Sequence, residues 1–207
     1  MDMNKLTQLQ RLFGVLLLLG PMVLLSSCVG NTTMPQDHYY RLPEIESSTI
    51  YNVPVLTGVV SVGTVMASGI LDERSMLYVE GDKPDEVKYY AYRHWMDSPS
   101  KIIRQHLINY FEKTGAAKIS HITHEQGGER SGVQIRLLKF ERSVTKDDIK
   151  AHVSLRISYK APQQAEILKT YTAAIEAKDS SVYSTVEAFG LGLESIYEEW
   201  LADIKED

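Results

Sequence analysis

Polar and apolar residues alternate along several stretches in the second half of the chain. In 133–142, the Val and Ile side chains fall on one face, while Gln134 and Arg136 fall on the other. A period of two is typical of a β-strand with one buried face. The same alternation in 152–159 and 167–176 predicts two further strands. The polar connections between the three strands are short enough for antiparallel hairpins.

Shorter β-prone stretches in the first half of the chain also predict strands. The stretch 38–42 stops at Pro43, and 57–66 is rich in Val and Thr, as in a buried strand. Two more predicted strands, 76–79 and 86–93, are separated by Gly, Asp and Pro residues that favour a turn.

Two stretches have the spacing of an amphipathic helix instead. Asp97-Ser98-Pro99 is a favourable helix start because Pro is tolerated in the first turn, and Thr114-Gly115 ends the periodic pattern. Residues 180–204 predict a long helix with one apolar stripe, formed by Phe189, Leu193, Ile196, Trp200 and Ile204. The whole pattern predicts the α/β class: a single sheet with antiparallel hairpins and two main helices packed on it, an α/β sandwich.

The N-terminus follows a different pattern. The apolar stretch 12–25 comes after Lys5 and Arg11, and it is shorter than the roughly 20 residues that a membrane-spanning helix needs. Such a segment is typical of a secretory signal peptide. It ends in Leu25, Ser26, Ser27 and Cys28, and Cys28 is the only cysteine of the chain. These four residues resemble the lipobox of bacterial lipoproteins, in which the signal is cut before a lipid-bearing cysteine. The alternatives are an ordinary cleaved signal that leaves a free thiol, and an uncleaved anchor.

These features divide the chain of 207 residues into three parts. Residues 1–27 are the predicted signal peptide, 28–37 the lipidated cysteine and a polar tether, and 38–207 a single domain. Two or more acyl chains, such as palmitate, anchor a protein stably. The tether reaches at most about 30 Å, so the domain is expected to work close to the membrane. By resemblance to Gram-negative lipoproteins, Val29 in place of Asp favours the outer membrane.

Composition and motifs argue against several classes of function. The formal net charge of −5 argues against non-specific binding of nucleic acid. The chain contains neither a G-x-x-x-x-G-K-[ST] loop for phosphate nor a G-x-S-x-G nucleophile elbow. A metal at His121 and His124 would need a third ligand with suitable geometry; Glu125 is the only acid nearby, and a solvated loop is the better interpretation. His106 lies on the helix stripe, where we expect a packed, hydrogen-bonded core histidine. We therefore predict no enzymatic activity, no cofactor and no metal site.

Several segments together resemble a known family. They are Tyr39-Tyr40-Arg41-Leu42-Pro43, the strand 59–63, the positions Leu71, Asp72 and Arg74, and finally Tyr89 and Trp95 before the first helix. With these residues, 38–114 resemble the ABC-type transport auxiliary lipoprotein family, which includes the PqiC proteins; the remainder matches by element order. One departure is Glu80, at a place where family members often have Arg.

This resemblance implies a function and a set of partners. Members are expected to be periplasmic lipoproteins of the outer membrane, without a cofactor, that dock an MCE-type lipid transport system at its far end. The implied partners are an MCE-domain protein and an inner-membrane transport component. Self-association into a ring would suit docking onto a symmetric tube. The alternatives are an accessory of another envelope machine, such as a secretin pilot or synthase activator, and an envelope hydrolase.

Aromatic and charged residues cluster on the two strands that precede the first helix. Tyr, Trp and Arg side chains carry much of the binding energy of protein interfaces, so the cluster is a candidate partner-binding surface, formed by Asp72, Arg74, Tyr78, Tyr89, Arg93 and Trp95. The alternative is that these side chains pack across strands and fill the core. If Tyr90 and Tyr92 face inward, Tyr89 and Arg93 face outward, and the reverse arrangement is equally compatible with the sequence.

Overall fold

The computed structural model describes residues 34–120 and 130–206. Asp37–Asp207 forms one compact unit. The predicted lipobox, including Cys28, lies outside the described residues, as do His121 and His124.

The described residues form one mixed sheet of eight strands and two main helices. The strands are β1 (His38–Tyr40), β2 (Val59–Val62), β3 (Ser75–Glu80), β4 (Lys83–Trp95), β5 (Lys118–Ile119), β6 (Arg130–Val144), β7 (Ile149–Lys160) and β8 (Ile167–Glu176). The helices are α1 (Pro99–Thr114) and α2 (Val182–Glu206), and a short 3-10 turn covers Gly69–Asp72. The predicted α/β sandwich is confirmed; the short strand β5 was not predicted.

Strand β6 is the centre of the sheet. One of its edges pairs antiparallel with β7, from Gly132 opposite Lys160 to Val144 opposite Ile149. Its other edge is shared, because β2 pairs with the first part of β6 and β3 with the last part, both in parallel. Strand β8 follows β7 in antiparallel pairing, as predicted. Strands β4 and β1 lie beyond β3, and β5 lies beyond β2.

Both helices pack on the same face of the sheet and share its hydrophobic core. Helix α1 starts after the N-cap Ser98, with Pro99 in its first turn, and closes at Gly115 with a φ of 73°, which glycine adopts without a steric penalty. In α2 the predicted stripe is buried from Phe189 to Trp200, and Ile204 packs against the core from its edge. Gln134 and Arg136 point away from the helices and are exposed.

The segment between β1 and β2 has no regular structure, yet it is held firmly against both helices. The buried carboxylate of Glu194 in α2 accepts hydrogen bonds from the backbone N–H groups of Glu46 (2.8 Å) and Ser47 (2.6 Å). Lys113, at the end of α1, donates to the carbonyl oxygen of Ile45. Two backbone donors that no strand satisfies are therefore satisfied by one side chain.

His106 of α1 is buried in the core, as predicted, but the prediction of a hydrogen bond is wrong. Within 34–120 and 130–206, neither ring nitrogen has a hydrogen-bond partner. The imidazole lies against the ring of Tyr197, with centroids 5.8 Å apart. Burial disfavours the charged imidazolium and lowers the pKa of His106 from 6.5 to about 4. The side chain therefore acts as an apolar ring at neutral pH.

Candidate functional site

The hairpin formed by β3 and β4 collects the predicted partner-binding residues. Tyr78 lies on β3, Tyr89 and Arg93 on β4, and Asp72 and Arg74 come just before β3. Strands β3 and β4 pair antiparallel, but the register is irregular between Ser75 opposite His94 and Leu77 opposite Tyr89. Because two steps along β3 correspond to five along β4, the simple alternation of sides fails in this part of β4.

Trp95 ends β4 and is a core residue rather than a surface residue. Its side chain is 1% exposed and packs on the rings of Phe140 and Phe189, with centroids 5.1 Å and 5.5 Å away. A partner cannot reach it in the folded protein. The structure thus corrects the prediction that Trp95 belongs to a docking surface, and favours core filling for this residue.

Asp72 and Arg74 each support neighbouring backbone. The Asp72 carboxylate accepts a hydrogen bond from the N–H of Ser100 in the first turn of α1, at 3.2 Å. Arg74 Nε donates to the carbonyl oxygen of Trp95, at 3.1 Å, and its guanidinium lies 5.3 Å from the ring centroid of Tyr39. In the part of the chain that the structure describes, no ion pair joins Asp72 to Arg74. Asp72 thus links the start of the hairpin to α1, and Arg74 links it to the end of β4 and to β1.

Tyr78 and Tyr90 form a stacked pair across the hairpin. Their ring centroids are 4.4 Å apart with an interplanar angle of 29°. The Tyr90 hydroxyl accepts a hydrogen bond from Arg142 Nη1 at 2.6 Å, and the Tyr90 ring packs against the core. Tyr78 is half-buried in this stack, so only part of its ring is accessible to a partner.

Tyr89 is the predicted residue that the structure places most clearly on the surface, at 60% exposure. Two residues that the sequence analysis did not select lie beside it on the same strand: Val87 is 42% exposed and Tyr92 is 46% exposed. Arg93 is half-buried. The irregular register explains why Tyr89 and Tyr92 are both exposed while Tyr90 faces inward; a simple period of two would not allow this.

These exposed side chains lie on a strand with a free edge. Strand β1 pairs with only the end of β4, from Arg93 to Trp95. Within the described residues, no strand covers the outer edge of 83–92. We call this free edge, with the side chains of Val87, Tyr89 and Tyr92, the β4 edge surface. This edge is free because β1 is short, and local sequence patterns do not reveal the length of β1.

Charged residues of both signs surround the β4 edge surface. Lys88 lies 3.0 Å from Glu80 on β3 and 3.6 Å from Glu86 on its own strand. The hydrogen bond to Glu80 raises the pKa of Lys88. Lys83 pairs with Glu86 at 3.6 Å. These exposed pairs are screened by water and each contributes little to stability, so they serve mainly to keep the edge soluble.

The described residues contain no group of three or more His, Cys, Asp or Glu side chains arranged to hold a metal ion. No helix within 34–120 or 130–206 combines the length and the apolar character needed to cross a bilayer.

Comparison with known proteins places the fold and the family. The crystal structure of protein XCC0632 from Xanthomonas campestris superposes with a TM-score of 0.66 at 17% identity, covering 79% of this chain and 92% of that one. A second crystal structure, of an uncharacterized protein, gives a TM-score of 0.61 at 13% identity, with 83% and 97% coverage. At these identities the likeness concerns the fold alone.

No curated protein matches the sequence. The sequence model of one family, the ABC-type transport auxiliary lipoprotein component, matches residues 40–199. This match covers most of the chain, including strands β3 and β4, helix α1, strands β6 to β8 and the larger part of α2. The chain therefore belongs to the ABC-type transport auxiliary lipoprotein component family.

Proposed function

We propose that this protein is a non-catalytic accessory that docks an MCE-type lipid transport conduit at the periplasmic face of the outer membrane. Cys28 carries the lipid anchor, and the β4 edge surface binds the partner. The partners are the MCE-domain protein directly and the inner-membrane transport component through it. Family membership supports the role of an auxiliary transport component. The free edge of β4 is the observation that carries the docking step.

A free strand edge offers a partner two kinds of contact. The backbone N–H and C=O groups of β4 can pair with an extended segment of another protein, which adds a strand to the sheet. Val87, Tyr89 and Tyr92 supply apolar and aromatic side chains at the same place. Pro84 lacks an N–H, so strand pairing is expected to run from Asp85 to Tyr92 and to stop before the turn.

The aromatic side chains are expected to carry most of the binding energy. Removal of a central Tyr at a protein interface commonly weakens binding by about tenfold or more. Because the charges of this region are mixed and mutually paired, salt is expected to affect the association rate only modestly. A partner segment with its own apolar or aromatic residues fits these properties.

A pulldown of the MCE-domain protein from solubilised envelopes tests the docking step. We expect Tyr89→Ala and Tyr92→Ala, alone and together, to reduce recovery of the MCE protein by about tenfold or more for the pair. Tyr183→Ala is the matched control, because Tyr183 is an exposed tyrosine on α2 rather than on β4. Full recovery by the double variant contradicts the assignment of the edge. Co-purification with a different envelope machine, and not with MCE proteins, contradicts the proposed role.

Self-association into a ring belongs to the same proposal. A symmetric assembly would present several β4 edge surfaces to one tube, which increases avidity without new contacts. The mass of the lipidated protein in membrane-derived nanodiscs measures this directly: a single closed oligomer agrees with the proposal, and monomers alone contradict this part of it.

A further inference from the structure

Arg142 is a buried arginine near the end of β6. Its side chain is 8% exposed. Nη1 donates to the Tyr90 hydroxyl at 2.6 Å, and Nη2 donates to the carbonyl oxygen of Ser180 at 2.6 Å. The third nitrogen, Nε, is buried and has no hydrogen-bond partner among the residues that the structure describes. Both hydrogen-bond acceptors are neutral oxygens, and the Tyr90 ring, whose centroid lies 5.9 Å from Arg142 Cζ, offsets the positive charge only in part.

No carboxylate within the described residues forms an ion pair with Arg142. The adjacent Glu141 pairs with Lys139 instead, at 3.1 Å. A guanidinium keeps its charge at physiological pH, and a buried charge without a counter-ion is costly. A methionine or leucine would fill this position at a lower cost if packing were its only role. An anion that is absent from the chain itself would complete the site.

Arg142 lines a small cavity with almost entirely apolar walls. The remaining walls come mostly from aromatic and aliphatic side chains, including Met76, Tyr90, Trp95, Phe140 and Phe189. In this conformation the cavity has room for about one water molecule, about 10 Å³. Met76, whose unbranched side chain is flexible, is the wall most able to move and admit more.

The first turn of α2 adds a second source of positive potential. Val182, the first residue of α2, and Thr185 line the cavity. The Ser181 hydroxyl accepts from the N–H of Ser184, and the Asp179 carboxylate accepts from the N–H of Ser181 at 2.7 Å. The N–H groups of Val182 and Tyr183 have no partner inside the helix. Helix N-termini favour negative charge, and here the terminus and a guanidinium lie at the same cavity.

We propose that Arg142 and the first turn of α2 bind a phosphate or carboxylate group of an amphipathic molecule, whose first carbons enter the aromatic cavity. The guanidinium supplies Nε, which has no other partner, as a charge-assisted donor. The apolar walls favour a ligand with a hydrocarbon end over a free ion. A lipid headgroup and free phosphate share the anionic chemistry, so a test must separate them.

Trp95 provides the readout because it forms part of the cavity wall. The chain has two tryptophans, and Trp200→Phe leaves Trp95 as the only tryptophan, which can be excited selectively over tyrosine. The protein is secreted through an ordinary signal peptide with Cys28→Ser, so that every residue from 28 onward is present without an acyl chain. The probes are inorganic phosphate and monomeric dihexanoyl phosphatidic acid. Dihexanoyl phosphatidylcholine, which is zwitterionic and has the same acyl chains, serves as the comparison.

We expect saturable changes in Trp95 emission with dihexanoyl phosphatidic acid and weaker or no response to the phosphatidylcholine. Arg142→Met should weaken the binding of phosphatidic acid by about tenfold to a hundredfold, and Arg142→Lys should weaken it by less. Arg104→Met is the matched control, because Arg104 also donates to backbone carbonyls, those of Val62 and Gly63, but lies outside this cavity. Calorimetry with both tryptophans intact repeats the measurement if Trp200→Phe is poorly folded.

The comparison of the two anionic probes identifies the source of the anion. Tighter binding of phosphatidic acid than of inorganic phosphate supports a lipid headgroup, and equal binding supports the same anion site with free phosphate as its ligand. No saturable binding of either, or equal affinity in wild type and Arg142→Met, overturns the proposal. Tyr89→Ala should leave this binding unchanged, so failure here and failure of the docking pulldown are distinguishable.

Discussion

His106 makes the folded protein sensitive to acid over a defined pH range. Its imidazole is buried without a hydrogen-bond partner, and burial lowers its pKa from 6.5 to about 4. Between these values the unfolded chain binds a proton that the folded protein does not, so stability falls as the pH falls. From pH 7.5 to pH 4 this single group is expected to remove about 3 kcal/mol of the free energy of unfolding.

The test is a comparison of slopes rather than of absolute stabilities. Urea unfolding of the unacylated Cys28→Ser protein is measured at pH 7.5 and pH 4, for wild type and for His106→Phe. The variant keeps an aromatic ring against Tyr197 but cannot titrate, so its loss of stability over this range should be smaller by about 3 kcal/mol. His152, whose pKa is also lowered by burial and by Lys139, contributes equally to both proteins and cancels. Equal slopes in the two proteins would refute the reasoning.

Three further predictions concern the fold and the anchor. Gly190→Ala places a Cβ 2.6 Å from Pro43 Cγ, whereas the Cβ of Gly192→Ala meets nothing closer than 3.4 Å. Thermal unfolding should show that Gly190→Ala is destabilised by about 1–3 kcal/mol and that Gly192→Ala is unchanged or stabilised by up to about 1 kcal/mol. Equal effects of the two substitutions would contradict the close approach of Gly190 to Pro43. Glu194→Ala leaves the N–H groups of Glu46 and Ser47 without their acceptor and should cost about 2 kcal/mol or more, while Glu198→Ala, at an exposed bond to Ser47, should cost under about 1 kcal/mol; denaturant midpoints decide. Cys28→Ala should move the protein from the outer-membrane fraction to the soluble periplasm in density gradients, and retention in the membrane fraction would refute anchoring through that thiol.

Much of the fold follows from local chemistry. The bounds of α1 are set by Pro99 in the first turn and by Gly115 in a left-handed conformation, and both signals are visible in the sequence. Strands β6, β7 and β8 alternate over much of their length because helices cover one face and the other is more exposed. In β6 the alternation is interrupted by a register shift between Leu137 and Lys139, after which Phe140, Glu141 and Arg142 are all buried. Local patterns of this kind depend on neighbours within a few residues.

Long-range pairing accounts for what the sequence did not reveal. Two strands from distant parts of the chain, β2 and β3, share one edge of β6 in parallel, and no local signal specifies that arrangement. The irregular register of β3 and β4 decides that Trp95 is buried while Tyr89 and Tyr92 are both exposed. Arg142 appeared as one polar position in an alternating strand, and its burial depends on contacts with Tyr90 and Ser180.

The docking claim is tested most directly by photo-crosslinking in living cells. A photoreactive phenylalanine analogue replaces Tyr89 in one strain and the exposed Tyr183 in another, with the lipid anchor intact in both. The account predicts a covalent adduct with the MCE-domain protein from position 89 and none from position 183. Outer-membrane protein that gives no such adduct from position 89, or the same adduct from both positions, would contradict it.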